Sequence, residues 1–233
     1  MHSEKTDAFA GRIVVINGAT GTIGEAMAFA LQRQGAQLIL FGRKSDRLNH
    51  LADELTAELD AEAEQRAPVI QTVDFSGAAV EDYQTLADAI ENNFGRIDIL
   101  IHAMGQGGQL SPLAHSDLMK FQESLHLNLI APFALTRSLW HLLERPGKQA
   151  QANRAQVLFF TDRGTPAFGN AYTLAHAALA RMIDQWANET TSVRINGLDP
   201  GPTHSGLRQY RFPALLADEQ AHGQLIRLQP DRI

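Results

Sequence analysis

The chain has no cysteine among its 233 residues. That absence excludes disulfides, thiol nucleophiles and cysteine-ligated metals together, and it points to no oxidising compartment. A basic excess is missing too, with 20 Lys and Arg against 26 Asp and Glu and a net charge of -6. No general attraction to nucleic acid or to an anionic membrane is expected, so an anionic ligand must be held by local donors. No apolar run reaches the roughly 18 residues that a membrane span needs. The segment Met1–Ala10 is polar, carries Glu4 and Asp7, and does not read as a signal peptide. A soluble cytoplasmic protein with no membrane and no nucleic-acid partner is the expectation. The nine histidines show no metal-ligand spacing with carboxylates, so no metal site is expected. No nucleophile elbow is present either.

What the chain does have is alternation. Short apolar runs at Arg12–Asn17, Gln37–Phe41, Val69–Asp74, Ile97–Ala103, Gln156–Thr161 and Val193–Asp199 read as strands, and the weak run Gln224–Leu228 as a seventh. Amphipathic stretches lie between them. They are Ile23–Gln34, a helix capped by Ser45 with Leu48, Leu51, Leu55 and Leu59 on one face, and the stripe Val80, Tyr83, Leu86, Ile90 and Phe94. A long helix from about His115 to Leu143 and a helix Tyr172–Glu189 complete the set. Strand–helix alternation with apolar strands predicts an α/β protein. Its sheet is parallel, doubly wound and Rossmann-type, in a three-layer α/β/α arrangement. One domain is expected over 1–233, with 1–10 as an N-terminal extension.

The first strand runs into Asn17-Gly18-Ala19-Thr20-Gly21-Thr22-Ile23-Gly24, where a helix opens. Glycines there allow a tight turn and a close approach of backbone N–H groups to a pyrophosphate, and the helix N-terminus favours the phosphates. Gly18, Thr20, Gly21, Thr22, Ile23 and Gly24 are the candidate phosphate loop. An acidic residue at the end of the second strand would favour NAD. The chain instead reads Phe41-Gly42-Arg43-Lys44, and the Arg43 fork suits a 2′-phosphate. NADP is the expected cofactor, with NAD as the alternative. An ordinary strand-to-helix turn and two solvated basic residues remain the plain alternatives.

From Gly11 to about Leu228 the chain resembles the short-chain dehydrogenase/reductase family. The marks are Asn17-Gly18 to Gly24, Asp74, Asp98 to Gly105, Asn128 within LHLNLIAPF, Thr161, Tyr172, and Asp199-Pro200-Gly201-Pro202-Thr203. No single mark decides, but their order and strand context agree. The resemblance implies that Asp74, with Phe75 beside it, contacts adenine, and that Ala103 and Gly105 line the adenine–ribose side. It implies that Pro200, Gly201 and Thr203 contact the nicotinamide end. Tyr172 becomes the general acid, Thr161 the polariser of a carbonyl oxygen, and Asn128 the holder of an ordered water in a proton relay.

The departures from the family are informative. Its Tyr–Lys pair is here Tyr172-Thr173-Leu174-Ala175-His176. Spacing by four places both side chains on one helical face, so His176 takes the lysine position. Histidine still donates a hydrogen bond but is charged only in part at neutrality. A free tyrosine titrates near about 10, so the missing cation bears on proton transfer. Gly18, Gly21 and Gly24 keep a GxxGxxG spacing, and NNAG becomes His102-Ala103-Met104-Gly105. Asp162 and Arg163 are unusual beside Thr161, with a local surface ion pair as the plain explanation. The stretch after Thr203 is short for a lid.

The reading is an NADPH-linked oxidoreductase that reduces a small-molecule carbonyl or oxidises an alcohol, with Tyr172, Thr161, Asn128 and His176 in the site. The alternative is a catalytically impaired member that binds a dinucleotide as a sensor or partner subunit. Leu125, Leu127, Leu129, Ile130, Phe133 and Leu135 exceed one buried stripe, and a homodimer or homotetramer is expected.

Overall fold

Apolar residues on alternate sides of each strand require a cover on both faces, and the helices supply it. The computed structural model describes residues 8–59, 66–145, 154–164, 167–201, 216 and 221–227. Its strands are β1 (Ile13–Asn17), β2 (Gln37–Gly42), β3 (Val69–Thr72), β4 (Ile99–His102), β5 (Gln156–Phe160), β6 (Arg194–Asp199) and β7 (Leu225–Arg227). They form one seven-stranded sheet in the order β3-β2-β1-β4-β5-β6-β7, with every neighbouring pair parallel.

Val14, Ile16, Leu38 and Leu40 face one helical layer. There they meet Met27 and Leu31 of α1 (Thr22–Gln32) and Leu48, Leu51 and Leu55 of α2 (Ser45–Ala57). Ile13, Val15, Ile39 and Phe41 face the other layer, with Tyr83, Leu86 and Ile90 of α3 (Val80–Phe94). The chain reverses its winding between β1 and β4, and a crevice opens at the carboxyl ends of those two strands.

Several predicted elements change in detail. Ser45 is the first helical residue rather than the cap; Lys44 holds the cap position and makes no side-chain cap bond. Leu59 lies beyond the end of α2. Val80 sits at the exposed start of α3, and Ala87 joins the buried stripe instead. β3 stops at Thr72, two residues early, and is an edge strand with Val69 exposed.

The long helix expected at about 115–143 is broken. A 3-10 turn (Leu113–His115) precedes α4 (Leu118–Leu125), then comes a π-helical turn (His126–Ile130), then α5 (Ala131–Ser138) and α6 (Trp140–Leu143). Pro132 has no N–H to offer the carbonyl four residues back, at Asn128. The wider turn sits where that bond would be, as is common near functional sites.

β4 ends on His102, which is 1% exposed. Its Nε2 is 2.7 Å from Thr136 Oγ1, and Thr136 in turn donates to the Pro132 carbonyl at 2.9 Å. The hydroxyl proton is thus committed, so His102 Nε2–H is the donor. The ring also stacks on Phe159 with centroids 4.7 Å apart. Burial lowers the His102 pKa to about 3.

The native state refuses a proton that the unfolded chain accepts near about pH 6.5. Stability therefore falls as pH drops below that value, until the folded pKa of about 3 is reached. The loss should be on the order of 1 kcal/mol per pH unit from this residue. His102→Gln keeps a donor for Thr136 and should flatten the dependence. Urea unfolding midpoints compared between neutral and mildly acid buffer would check it; an unchanged acid slope in the variant would refute the assignment.

Candidate active site

The first half of the crevice is built by backbone proximity. Gly18 has φ +83, and a Cβ there would lie 2.5 Å from Met104 N, on the turn that follows β4. A Cβ at Gly24 would lie 2.2 Å from the Gly18 carbonyl oxygen. Both approaches are open only to glycine. Gly21 differs: its φ is -85, and an added Cβ would make only an ordinary 3.4 Å contact. Gly21 caps α1, so the N–H groups of Thr22, Ile23 and Gly24 have no partner within their own helix. The crevice can therefore receive an anion at this point.

A cavity of about 340 Å³ extends from the loop toward β2, lined by Gly18, Thr20, Gly21, Arg43, Lys44, Arg47, Phe75, Ala103 and Gly105 among others. Sequence reasoning found Arg43 but missed Arg47, in the first turn of α2. Its signal was its place in the first turn of the helix that follows β2, which keeps the side chain near the end of that strand. Asp74 is exposed and turned to its own chain: Oδ1 accepts from Ser76 N at 3.0 Å and from Ser76 Oγ at 2.8 Å. Those bonds hold its carboxyl below the usual carboxylate range, with Arg43 adding to them. Val73 and Phe75, rather than Asp74, line the cavity.

A second cavity of about 330 Å³ shares Gly21, Ala103, Met104 and Gly105 with the first. It continues past Thr22 and Ile23 to Thr161, Asp162, Tyr172, His176, Asp199, Pro200 and Gly201. Thr203 lies outside the described residues, as does most of the segment 204–222.

The side chains at this end come from β5, β6 and α7 (Asn170–Glu189). Tyr172 is the third residue of α7 rather than its first. The helix is anchored by Asn170, at φ 52, a left-handed conformation that asparagine tolerates. Asn170 Nδ2 donates to Ser111 Oγ at 2.7 Å and also to Ser116 Oγ. That anchor ties Tyr172 to the loop after β4, and sequence reasoning did not find it. Asn128, buried in the π-helical turn, braces the same loop. Its Oδ1 accepts from Gln106 N, and its Nδ2 donates to Gln106 O, both at 3.0 Å.

The residue beside Thr161 proves central. Asp162 does not pair with Arg163: no such ion pair occurs among the described residues, and Arg163 N instead donates to Asp199 Oδ2 at 3.3 Å. Asp162 Oδ1 accepts from Gly164 N at 2.7 Å, and its Oδ2 accepts the Tyr172 hydroxyl at 3.3 Å. Burial pushes the Tyr172 pKa up to about 12, and the Asp162 carboxylate adds to the shift. His176 lies against Tyr172, ring centroids 4.4 Å apart, and its Nδ1 accepts from Asp162 N at 3.2 Å. A neutral His176 must then carry its proton on Nε2, which is buried with no partner, as is Thr161 Oγ1. Burial lowers the His176 pKa, against the opposing pull of Asp162 and Asp199. Among the described residues no lysine or arginine lines this cavity.

A glycine-only loop at the switch point, an anion seat at a helix N-terminus and a tyrosine four residues before His176 decide the kinship. This chain belongs to the short chain dehydrogenases. The family model matches residues 12–215. YciK, an uncharacterized oxidoreductase of Escherichia coli K12, is 29% identical over 219 residues, which cover 91% of this chain and 82% of that protein. A short chain dehydrogenase of Escherichia coli CFT073, solved in complex with NADPH, is 27% identical with a TM-score of 0.83, covering 97% of this chain and 100% of its own. A Shigella flexneri 2a counterpart complexed with NADP is 26% identical with a TM-score of 0.82, over 97% and 100%. No helix among the described residues is long and apolar enough to cross a membrane.

The two collisions imply a simple contrast. Gly18→Ala or Gly24→Ala should cost about 1–3 kcal/mol or more through forced displacement of backbone. Gly21→Ala should cost less than about 1 kcal/mol. Urea unfolding of the three variants would test this, and equal losses at all three positions would contradict it.

Proposed function

We propose that the chain is an NADP(H)-linked reductase of a polar double bond, working on a carbonyl compound in the first instance. The observation that carries this reading is the continuous crevice from Arg43 and Arg47 to Tyr172 and Thr161, with a glycine-only turn between its halves. The residues present fit the dinucleotide that the two solved neighbours hold. Gly18 and Gly24 leave room for a pyrophosphate at the α1 N-terminus, and Arg43, Lys44 and Arg47 suit a 2′-phosphate. His176 Nε2–H supplies a donor for the nicotinamide ribose, and Pro200 and Gly201 back the far end. When bound, the reduced dinucleotide supplies hydride.

The protein's share is orientation and the proton. Thr161 Oγ1, which has no partner of its own, polarises the carbonyl oxygen, and Tyr172 donates its hydroxyl proton to that oxygen. Asn128 braces the loop beneath the site. It also supports an ordered water through its backbone carbonyl, which Pro132 leaves without the usual helical donor. With its pKa pushed up to about 12, Tyr172 is almost wholly protonated at neutrality. Carbonyl reduction consumes that phenol proton, whereas alcohol oxidation would draw on the phenolate.

The raised Tyr172 and neutral His176 also support the second reading, a dinucleotide-binding member with little turnover. Fluorescence titration with NADPH and NADH, followed by a carbonyl panel, separates the two. Arg43→Ala and Arg47→Ala should each weaken NADPH by about tenfold and leave NADH nearly unaffected. Tyr172→Phe should abolish carbonyl turnover while NADPH still binds. Tight NADPH binding with no turnover by the natural chain would select the second reading.

For assembly, Ile130 and Phe133 are exposed on the π-turn and α5. They flank an apolar groove with Met182 and Trp186 of α7. This groove is the proposed seat of a second copy of the chain. Phe133→Glu should shift the mass measured by light scattering to that of a monomer.

A further inference from the structure

Among the described residues, the reactive end of the crevice supplies acceptors but no fixed cation. A carbonyl oxygen gains negative charge as hydride arrives, so its site needs a cation or a ready proton. Here the position that could hold a fixed cation carries His176, whose Nδ1 accepts a backbone N–H and whose ring is therefore neutral. The Tyr172 hydroxyl is directed at the Asp162 carboxylate. No lysine or arginine lines the cavity among the described residues. Two side chains less than a tenth exposed, Thr161 and His176, line the cavity and hold polar atoms without partners.

The half-buried Asp162 carboxylate is held only by neutral donors, Gly164 N–H and the Tyr172 hydroxyl, and with no lysine or arginine lining its cavity among the described residues it suits a cationic guest. We propose that Asp162 binds a protonated carbon–nitrogen double bond, and that the preferred substrate of this site is an iminium ion rather than a ketone. The inference rests on the reductase reading above, and specifies its substrate class.

The chemistry closes without a proton from the protein. The hydride, supplied by a reduced nicotinamide dinucleotide, forms a new C–H bond at the iminium carbon. The C=N π pair passes to nitrogen, and the product is a neutral amine. Positive charge leaves the substrate nitrogen and passes to the oxidised nicotinamide that has given up the hydride, and no oxyanion forms, so a Tyr172 that keeps its proton is no obstacle. Before the step, Asp162 draws the cationic, reactive form of the imine out of a mixture with the unreactive neutral one. Oδ2 accepts the iminium N–H in place of the Tyr172 hydroxyl, which turns to the substrate or to water, while Oδ1 stays on Gly164 N. Thr161 and His176 complete the lining of the cavity.

The test compares dihydroisoquinoline with tetralone, its carbocyclic ketone counterpart, under saturating NADPH. NADPH binding is measured separately by fluorescence titration. The natural chain should reduce the imine with a kcat/KM at least about tenfold above that for the ketone. Asp162→Asn, which retains an acceptor for Gly164 N, should lower the imine-to-ketone ratio by about tenfold or more. Asp162→Glu should recover part of it.

A readout that needs no turnover is calorimetric binding of the cation tetrahydroisoquinolinium. Its Kd should rise about tenfold or more in Asp162→Asn. NADPH binding with ketone reduction but no imine reduction would overturn the iminium assignment and leave the reductase reading standing. An unchanged ratio and unchanged cation affinity in Asp162→Asn would also overturn it. Absence of NADPH binding would overturn both readings.

Discussion

Everything in the crevice follows from how closely two backbones approach where the sheet reverses its winding. β1 and β4 lie side by side, and the turns that leave them are in van der Waals contact: a Cβ on Gly18 would sit 2.5 Å from Met104 N. That contact sets the entry of α1, because Gly24 must pass the Gly18 carbonyl at a distance no side chain allows. Once the two turns are locked, the α1 N-terminus and the loop after β4 form opposite walls of one slot. The slot is continuous from the Arg43 end to the Tyr172 end because both cavities share those walls.

The wall after β4 has little secondary structure of its own, and its shape is imposed from outside. Asn128 clamps both the N–H and the carbonyl of Gln106, and Asn170 ties Ser111 to the start of α7. Both asparagines occupy backbone irregularities, one in a π-helical turn and one at positive φ. The irregularities direct two amides inward that a regular helix would have placed elsewhere. A buried His102 sits below, neutral and bound to Thr136, which in turn donates to Pro132. The same stretch of chain thus supports the loop from beneath and from the side.

Polar geometry at the far end is governed by Asp162. It meets the Tyr172 hydroxyl through its side chain and His176 through its backbone N–H. Burial raises the tyrosine pKa and the side-chain contact adds to it, while the backbone contact fixes the histidine tautomer. A lysine at position 176 would have offset the carboxylate; histidine, desolvated and accepting a hydrogen bond, does not. Among the described residues the outcome is a site rich in acceptors and poor in positive charge, and this balance, more than the fold, separates it from the pattern of its family.

Periodicity alone determined the alternation of strands and helices, because burial on both faces of a parallel sheet leaves apolar runs that any linear reading can find. The spacing of Gly18, Gly21 and Gly24 and the place of Arg43 and Tyr172 were equally legible, since each depends on neighbours only a few residues away. What stayed hidden depends on distant partners. The break at Asn128 was coded by Pro132, yet its use as a clamp required Gln106 to fold back over 22 residues. Arg47 acquires meaning only beside the mouth of β2. Asp162 and Arg163 look like an ion pair in a linear text. Only the packing of β5 against α7 decided that the carboxylate faces Tyr172, because its direction is set by Gly164, Tyr172 and the helix axis rather than by its neighbour in sequence.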